Sequence, residues 1–190
     1  LLKQYDNYAL SVSATTRDPR PGEEHGREYF FHTKKEFEEL ILEDALIEYA
    51  QYVDNYYGTP KAYVEKQLNM GKDVILEIEI QGALKVKKKM PNTLLLFVTP
   101  PNAEELKHRL VNRGTESMDV IESRLSRASE EAKGMSEYDY ILINDVIEEC
   151  VDNMHSIIQS QHDAVKNRQE FIKEITEEIA KKIQDSPIES

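Results

Sequence analysis

Cysteine occurs once, at Cys150, among 190 residues. A lone thiol excludes a disulfide framework and a Cys-type zinc site, and it suits a reducing cytoplasm. The histidines, His25, His32, His108, His155 and His162, are scattered without the paired spacing of metal ligands, so no structural metal site is expected. No apolar run approaches the ~18 residues of a membrane-spanning helix; the longest, near Leu94 to Val98, has strand length, so no membrane segment is expected. Basic residues are also scarce, 24 against 36 acids, for a net charge of −12. That balance argues against general nucleic-acid binding, which needs a broad basic footprint. A few arginines focused in a cleft could still hold an anion. The chain begins Leu1-Leu2-Lys3, with neither an initiator Met nor a signal-peptide pattern, and reads as a segment of a longer protein.

What is present fits one domain large enough to bury a core without staples. Tyr8 to Ser13 alternates like a strand, and Tyr29-Phe30-Phe31 is a second, short one. Thr33-Lys34-Lys35-Glu36 has the form of a capping box before Phe37, Leu40, Ile41 and Ala45 at helical spacing. Leu46 to Val53 reads as a strand turning at Asp54-Asn55, and Thr59-Pro60 reads as the start of a helix that Gly71 closes. "DVILEIEI", Asp73 to Ile80, predicts a strand with Val74, Leu76, Ile78 and Ile80 on one face and Glu77 and Glu79 opposite. "TLLLFVTPP" is a continuous apolar run, the pattern of a strand buried on both faces of a parallel sheet. Helices are predicted over "QGALKVKKK", which Pro91 stops, and over about 102–113, 118–133 and 146–184, the last as one helix or two, with the strand "YDYILIND" before it. Strands alternate with helices after Asp73, so the expected fold class is α/β, a parallel sheet flanked by helices.

Three charge clusters could carry chemistry. In "SVSATTRDPRPGEEHGREYFF", Arg17 and Arg20 lie three apart in a proline-constrained loop, so both could aim at one phosphate, with Tyr29 and Tyr57 as neutral donors. The same pattern is also that of a solvated loop with local Arg–Glu pairs. In "LIEYAQYVDNYYGTP", Glu48 sits in an apolar strand and must find donors or bear a desolvation cost. A guanine edge offers two adjacent N–H donors to one carboxylate, and sites of this kind reject analogues lacking the donor by about 10⁴–10⁵. Exposure on an edge strand is the plainer alternative. Third, Arg109 and Arg113 share a helix face, Gly114 breaks that helix, and Arg124 and Arg127 follow three apart on the next. Such a pair of helices could close as a lid over a polyphosphate, or could carry ordinary ion pairs with Glu105, Glu116 and Glu122.

The motifs "SVSATTRDPRPGEEHGREYFF", "LIEYAQY" with "NYYGTP", "LEIEIQGA", "RLVNRGTE" and "LIND" follow one another in this order, and the chain thereby resembles the guanylate kinase family from about Leu1 to Ile158. Two family positions differ slightly: Leu46 stands where the family has Phe, and Leu142 precedes Ile143-Asn144-Asp145 where the family reads IVND. The resemblance implies a P-loop-kinase-like core with a small mixed β GMP-binding subdomain (about 13–63) and a helical lid (about 109–130). It implies guanine contacts from Ser13, Glu48 and Thr59, with Gly58 beside them. It implies a grip on the GMP phosphate from Arg17, Arg20, Tyr29 and Tyr57, with Glu23 lining the pocket, Glu77 near the nucleotide and Gly82 admitting it closely. Arg109, Arg113 and Arg124 match ATP-side and phosphoryl-transfer positions, with Arg17 joining them in the catalytic set, and Asn144 matches an adenine-side contact. The activity implied is ATP-dependent phosphorylation of GMP and dGMP, with Mg²⁺ carried by the ATP phosphates.

A kinase of this class uses a GxxxxGK[ST] loop whose backbone N–H groups cradle the ATP phosphates. No such run exists in these 190 residues. The expectation is that roughly 20–30 residues, a strand, the loop and most of a helix, precede Leu1. The chain as written should then bind GMP weakly, transfer phosphate negligibly and leave a gap or unpaired edge in its sheet. A non-catalytic guanylate-kinase-like interaction module is the alternative, weighed down by the presence of Glu48, Arg109, Arg113 and Arg124. Another nucleoside monophosphate kinase is disfavoured by Glu48 with Thr59.

Overall fold

Ser11 and Val12 interrupt the first alternating segment, so the single strand expected over Tyr8–Ser13 is two: β1 (Tyr8–Leu10) and β2 (Ser13–Thr15). The structure is a computed structural model, and it describes residues 1–52, 54–112 and 118–185. After β2 come β3 (Tyr29–Phe31), α1 (Lys34–Leu42), β4 (Leu46–Tyr52), β5 (Asn55–Pro60) and α2 (Lys61–Asn69). Then follow β6 (Asp73–Ile75), α3 (Ile80–Lys89), β7 (Leu96–Thr99), α4 (Ala103–Asn112) and α5 (Met118–Ala132). The chain closes with β8 (Tyr140–Ile143), α6 (Ile147–His162) and α7 (Gln169–Asp185).

Among the described residues the strands form three sheets. Parallel pairing, expected for the core, is present in β1–β6 and β7–β8, but these are two separate ribbons rather than one continuous sheet. The third sheet is mixed, in the order β3-β2-β5-β4, with β2–β3 parallel and the other pairs antiparallel.

Two strand expectations are corrected. The strand predicted over Asp73–Ile80 pairs only over Asp73–Ile75, because its partner β1 ends at Leu10 and the chain leaves for the mixed sheet after one last bond from Ser11 N–H to the Ile75 carbonyl. The alternation beyond it persists as burial: Val74, Leu76 and Ile78 pack on Ile47, Val64 and Val86, while Glu77 and Glu79 are exposed and Ile80 opens α3. The apolar run at Leu94–Val98 is not buried on both faces. Leu95 is buried, but Val98 on β7 and Ile141 and Ile143 on β8 are exposed, since the ribbon is covered on one face only.

The mixed sheet owes its position to α1. Thr33 caps that helix by a full capping box: its hydroxyl accepts from Glu36 N–H, and the Glu36 carboxylate accepts from Thr33 N–H at 2.7 Å. The helix lays Phe37, fully buried, on Ala14 and Leu46, and stacks it on Tyr56 with ring centroids 5.2 Å apart. Because side chains alternate along a strand, the residues next to Ala14, Phe30 and Tyr56, namely Ser13, Tyr29 and Tyr57, fall on the opposite face. Thr33→Ala should cost about 1 kcal/mol through loss of the cap. Thermal unfolding checks this as a fall in Tm of about 2–4 °C.

The structure also moves one cap. Thr59 was expected to start α2; instead β5 runs through it and Pro60 is the N-cap, without a side-chain bond. The Thr59 hydroxyl is engaged elsewhere.

Candidate active site

A bulge aims Glu48. With a strict period of two, Leu46 and Glu48 would share a face of β4. The pairing register shifts between Leu46↔Pro60 and Tyr49↔Gly58, and this irregularity lets Leu46 pack towards α1 while Glu48 turns to the other face. Gly58 is what the bulge requires. A Cβ there would stand 2.9 Å from the Glu48 carbonyl oxygen, 3.0 Å from Tyr49 Cβ and 3.1 Å from Leu46 Cδ1. The role of this glycine is therefore packing against β4. Gly58→Ala should destabilise by about 1–3 kcal/mol through overpacking, read as a lower urea midpoint at unchanged m.

Glu48 is 6% exposed and accepts a 2.8 Å hydrogen bond at Oε1 from the Thr59 hydroxyl, itself fully buried. Its other oxygen faces α3, where a Cβ on Gly82 would lie 3.0 Å from Oε2. Burial pushes the Glu48 pKa above the usual carboxylate value; Thr59, Lys85 and Lys89 oppose that shift and Glu79 adds to it. One hydroxyl leaves most of the carboxylate's acceptor capacity unused. Such a buried acid is poised to accept from paired N–H donors of a ligand.

Arg17 follows β2 directly. Its Nη2 donates to both Glu23 carboxylate oxygens, Oε1 at 3.0 Å and Oε2 at 2.9 Å, while Nη1 donates to the Asp18 carbonyl. It lies over the Tyr29 ring, 5.3 Å from the centroid, and over Phe31 at 5.8 Å. Tyr57 stands edge-on to Tyr29, with centroids 6.2 Å apart. Glu23 also accepts from Arg20 N–H at 2.7 Å, and this bond, with Arg17, holds its pKa below the usual value. The Glu23 carboxylate thus occupies the Nη2 end of the Arg17 guanidinium. The Arg20 guanidinium is exposed and makes no hydrogen bond or ion pair among the described residues. β2 and β4 flank β5 in the same sheet, so the strand that bears Glu48 and the strand that leads into Arg17 are separated by one strand.

The ATP-side expectations divide. Arg109 on α4 donates to the Asn144 backbone carbonyl at 2.7 Å and to Glu105 at 2.6 Å, so two residues distant in sequence meet at the end of β8. A cleft of about 490 Å³ opens beside them, lined by Asn102, Glu104, Glu105, His108 and Asp145. Arg113 and Gly114, and with them the predicted break between the lid helices, lie outside the described residues. Arg124 is exposed on α5. Glu77 is exposed between β6 and α3. Arg127, read from its spacing as a lid arginine beside Arg124, is ion-paired with Glu79 at the start of α3, a contact that spacing does not announce. Only the alternation of Glu77 and Glu79 hinted that this segment presents acids to a neighbour.

A buried acid in a small mixed sheet, an arginine paired with a carboxylate just beyond that sheet, and arginine-bearing helices beside parallel strand pairs suit a nucleoside monophosphate kinase. The family model described as guanylate kinase matches residues 1–161. A guanylate kinase of Lactococcus lactis is 52% identical over 162 residues, covering 85% of this chain and 79% of that protein. One of Bacillus cereus is 49% identical over 170 residues, covering 90% and 83%. Among solved structures, the guanylate kinase of Anaplasma phagocytophilum superposes with a TM-score of 0.67 at 33% identity, over 82% of this chain and 77% of that one. This chain belongs to the guanylate kinase family.

Proposed function

We propose that these residues form the GMP-binding half of an ATP:GMP phosphotransferase that makes GDP by direct in-line transfer. The observation that carries this reading is the buried Glu48 carboxylate, held by Thr59 and sharing a sheet face with Tyr29, Tyr57 and the arginine that follows β2. Glu48 accepts the two N–H donors of the guanine edge, with Ser13 and Thr59 completing the base site. Gly82 keeps the approach between α3 and the carboxylate open. Arg17 and Arg20, with the Tyr29 and Tyr57 hydroxyls, take the phosphate; on binding, the phosphate shares or replaces Glu23 on the Arg17 fork. Arg109, Arg113 and Arg124 spread the charge of the transferring group, an effect worth about 10³–10⁵ in rate for an arginine finger. Asn144 borders the adenine side, next to Arg109.

Magnesium enters as part of the ATP substrate, held by its phosphates. The 190 residues hold no GxxxxGK[ST] run to cradle those phosphates. For this chain by itself the reading is accordingly GMP binding with negligible transfer. A thermal-shift series with GMP, dGMP and AMP tests it. GMP and dGMP should raise Tm with saturation and AMP should not; equal stabilisation by AMP contradicts the guanine assignment.

A further inference from the structure

We infer that Arg127 is a positioning residue for guanine recognition, acting from α5 through Glu79 on the Glu48 carboxylate. This inference rests on the reading of Glu48 as the guanine acceptor. Arg127 touches neither Glu48 nor the Arg17 cluster among the contacts described; its guanidinium bridges Glu79, at the N-cap of α3, and Glu131 at 3.1 Å on its own helix.

A second contact fixes the same junction. Gly134, just beyond α5, receives the tip of Ile80, the first residue of α3: a Cβ on Gly134 would lie 2.1 Å from Ile80 Cδ1. Two residues on is Gly82, against Glu48 Oε2. The end of α5 is thereby tied to the start of α3, and the start of α3 forms one wall around the base-reading acid.

Charge follows the same route. Thr59 from β5, Lys85 and Lys89 from α3 favour the ionised form of Glu48, and Glu79 opposes it. Arg127 stands on Glu79 and offsets that opposition. Without the guanidinium, Glu79 acts on Glu48 undiminished, and the carboxylate takes up a proton at higher pH.

The test is a GMP titration of the full 190-residue chain across the acid limb of binding, for wild type, R127Q, E79Q and the double variant. R127Q should weaken GMP binding about two- to fivefold, the range of an exposed ion pair, and move the acid limb to higher pH. E79Q should move it to lower pH, and R127Q should add nothing in the E79Q background. R127K, which keeps the charge, should return the limb towards its wild-type position. An unmoved acid limb in R127Q, even with a lowered Tm, overturns the inference. So does a shift of equal size in both backgrounds. If wild type binds AMP as well as GMP, the guanine reading itself has failed, and this outcome is separable because it appears before any variant is made.

Discussion

Replacing Glu48 with glutamine should weaken GMP binding by about 10² or more while raising the thermal stability of the unliganded chain. Glutamine keeps the shape but offers one acceptor where the carboxylate offers two, and turns an amide donor against a guanine N–H. Each charge-assisted hydrogen bond is worth about 1.5–3 kcal/mol, so losing one and setting a donor against another reaches a hundredfold. The stability gain has the opposite origin. Burial raises the pKa of Glu48 in the folded protein. A carboxylate whose folded pKa lies above its unfolded value makes the folded state less stable as pH rises through that window. At neutral pH wild type therefore bears the cost of an ionised buried acid, and E48Q does not; a rise of about 2–4 °C in Tm corresponds to 1 kcal/mol at this chain length. In wild type the binding runs the other way. GMP requires the charged form, so affinity falls on acidification, and it falls at a higher pH than an ordinary glutamate would give. Calorimetric titration with parallel melts checks both halves.

The second large effect is expected at Arg17. Arg17→Ala should reduce GMP affinity by about 10², since it removes a bidentate fork worth about 1.5–3 kcal/mol per bond. It also exposes the phosphate to Glu23, which the guanidinium neutralises now. Binding of guanosine, which has no phosphate, should be nearly unchanged. A parallel loss for guanosine would mean that Arg17 supports the sheet rather than the anion. The pair also has a pH signature. Glu23 is held below its usual pKa by Arg20 N–H and by Arg17, so its stabilising contribution is present above the unfolded pKa and is lost as pH falls through the folded one. In R17A that acid-sensitive increment should shrink.

Much of this was legible locally. Thr33 and Glu36 announce the capping box by spacing alone, and the structure closes both of its bonds. Glu48 in an apolar strand marks an acid that must find donors, and the structure buries it; its Thr59 partner, read from the sequence as a helix start, was not legible. The alternation of Val74, Leu76 and Ile78 against Glu77 and Glu79 gives the buried face correctly even where the strand ends early. What escaped is non-local. A bulge at Leu46–Tyr49 depends on a register that only pairing with β5 defines. Apolar runs at β7 and β8 report the propensity to be buried, not whether a layer covers them, and Val98, Ile141 and Ile143 are exposed. Arg17 with Glu23 lay within reach of the sequence, six residues apart, but Arg127 with Glu79 spans 48 residues and follows from tertiary packing alone.

Whether Glu48 reads the guanine edge is tested most directly by titrating the chain with GMP, IMP and AMP, because the three bases offer that carboxylate two, one and no N–H donors. The expected order of affinity is GMP, IMP, AMP, with the differences collapsing in E48Q. Equal affinity for the three nucleotides, or the same ranking retained in E48Q, would contradict it.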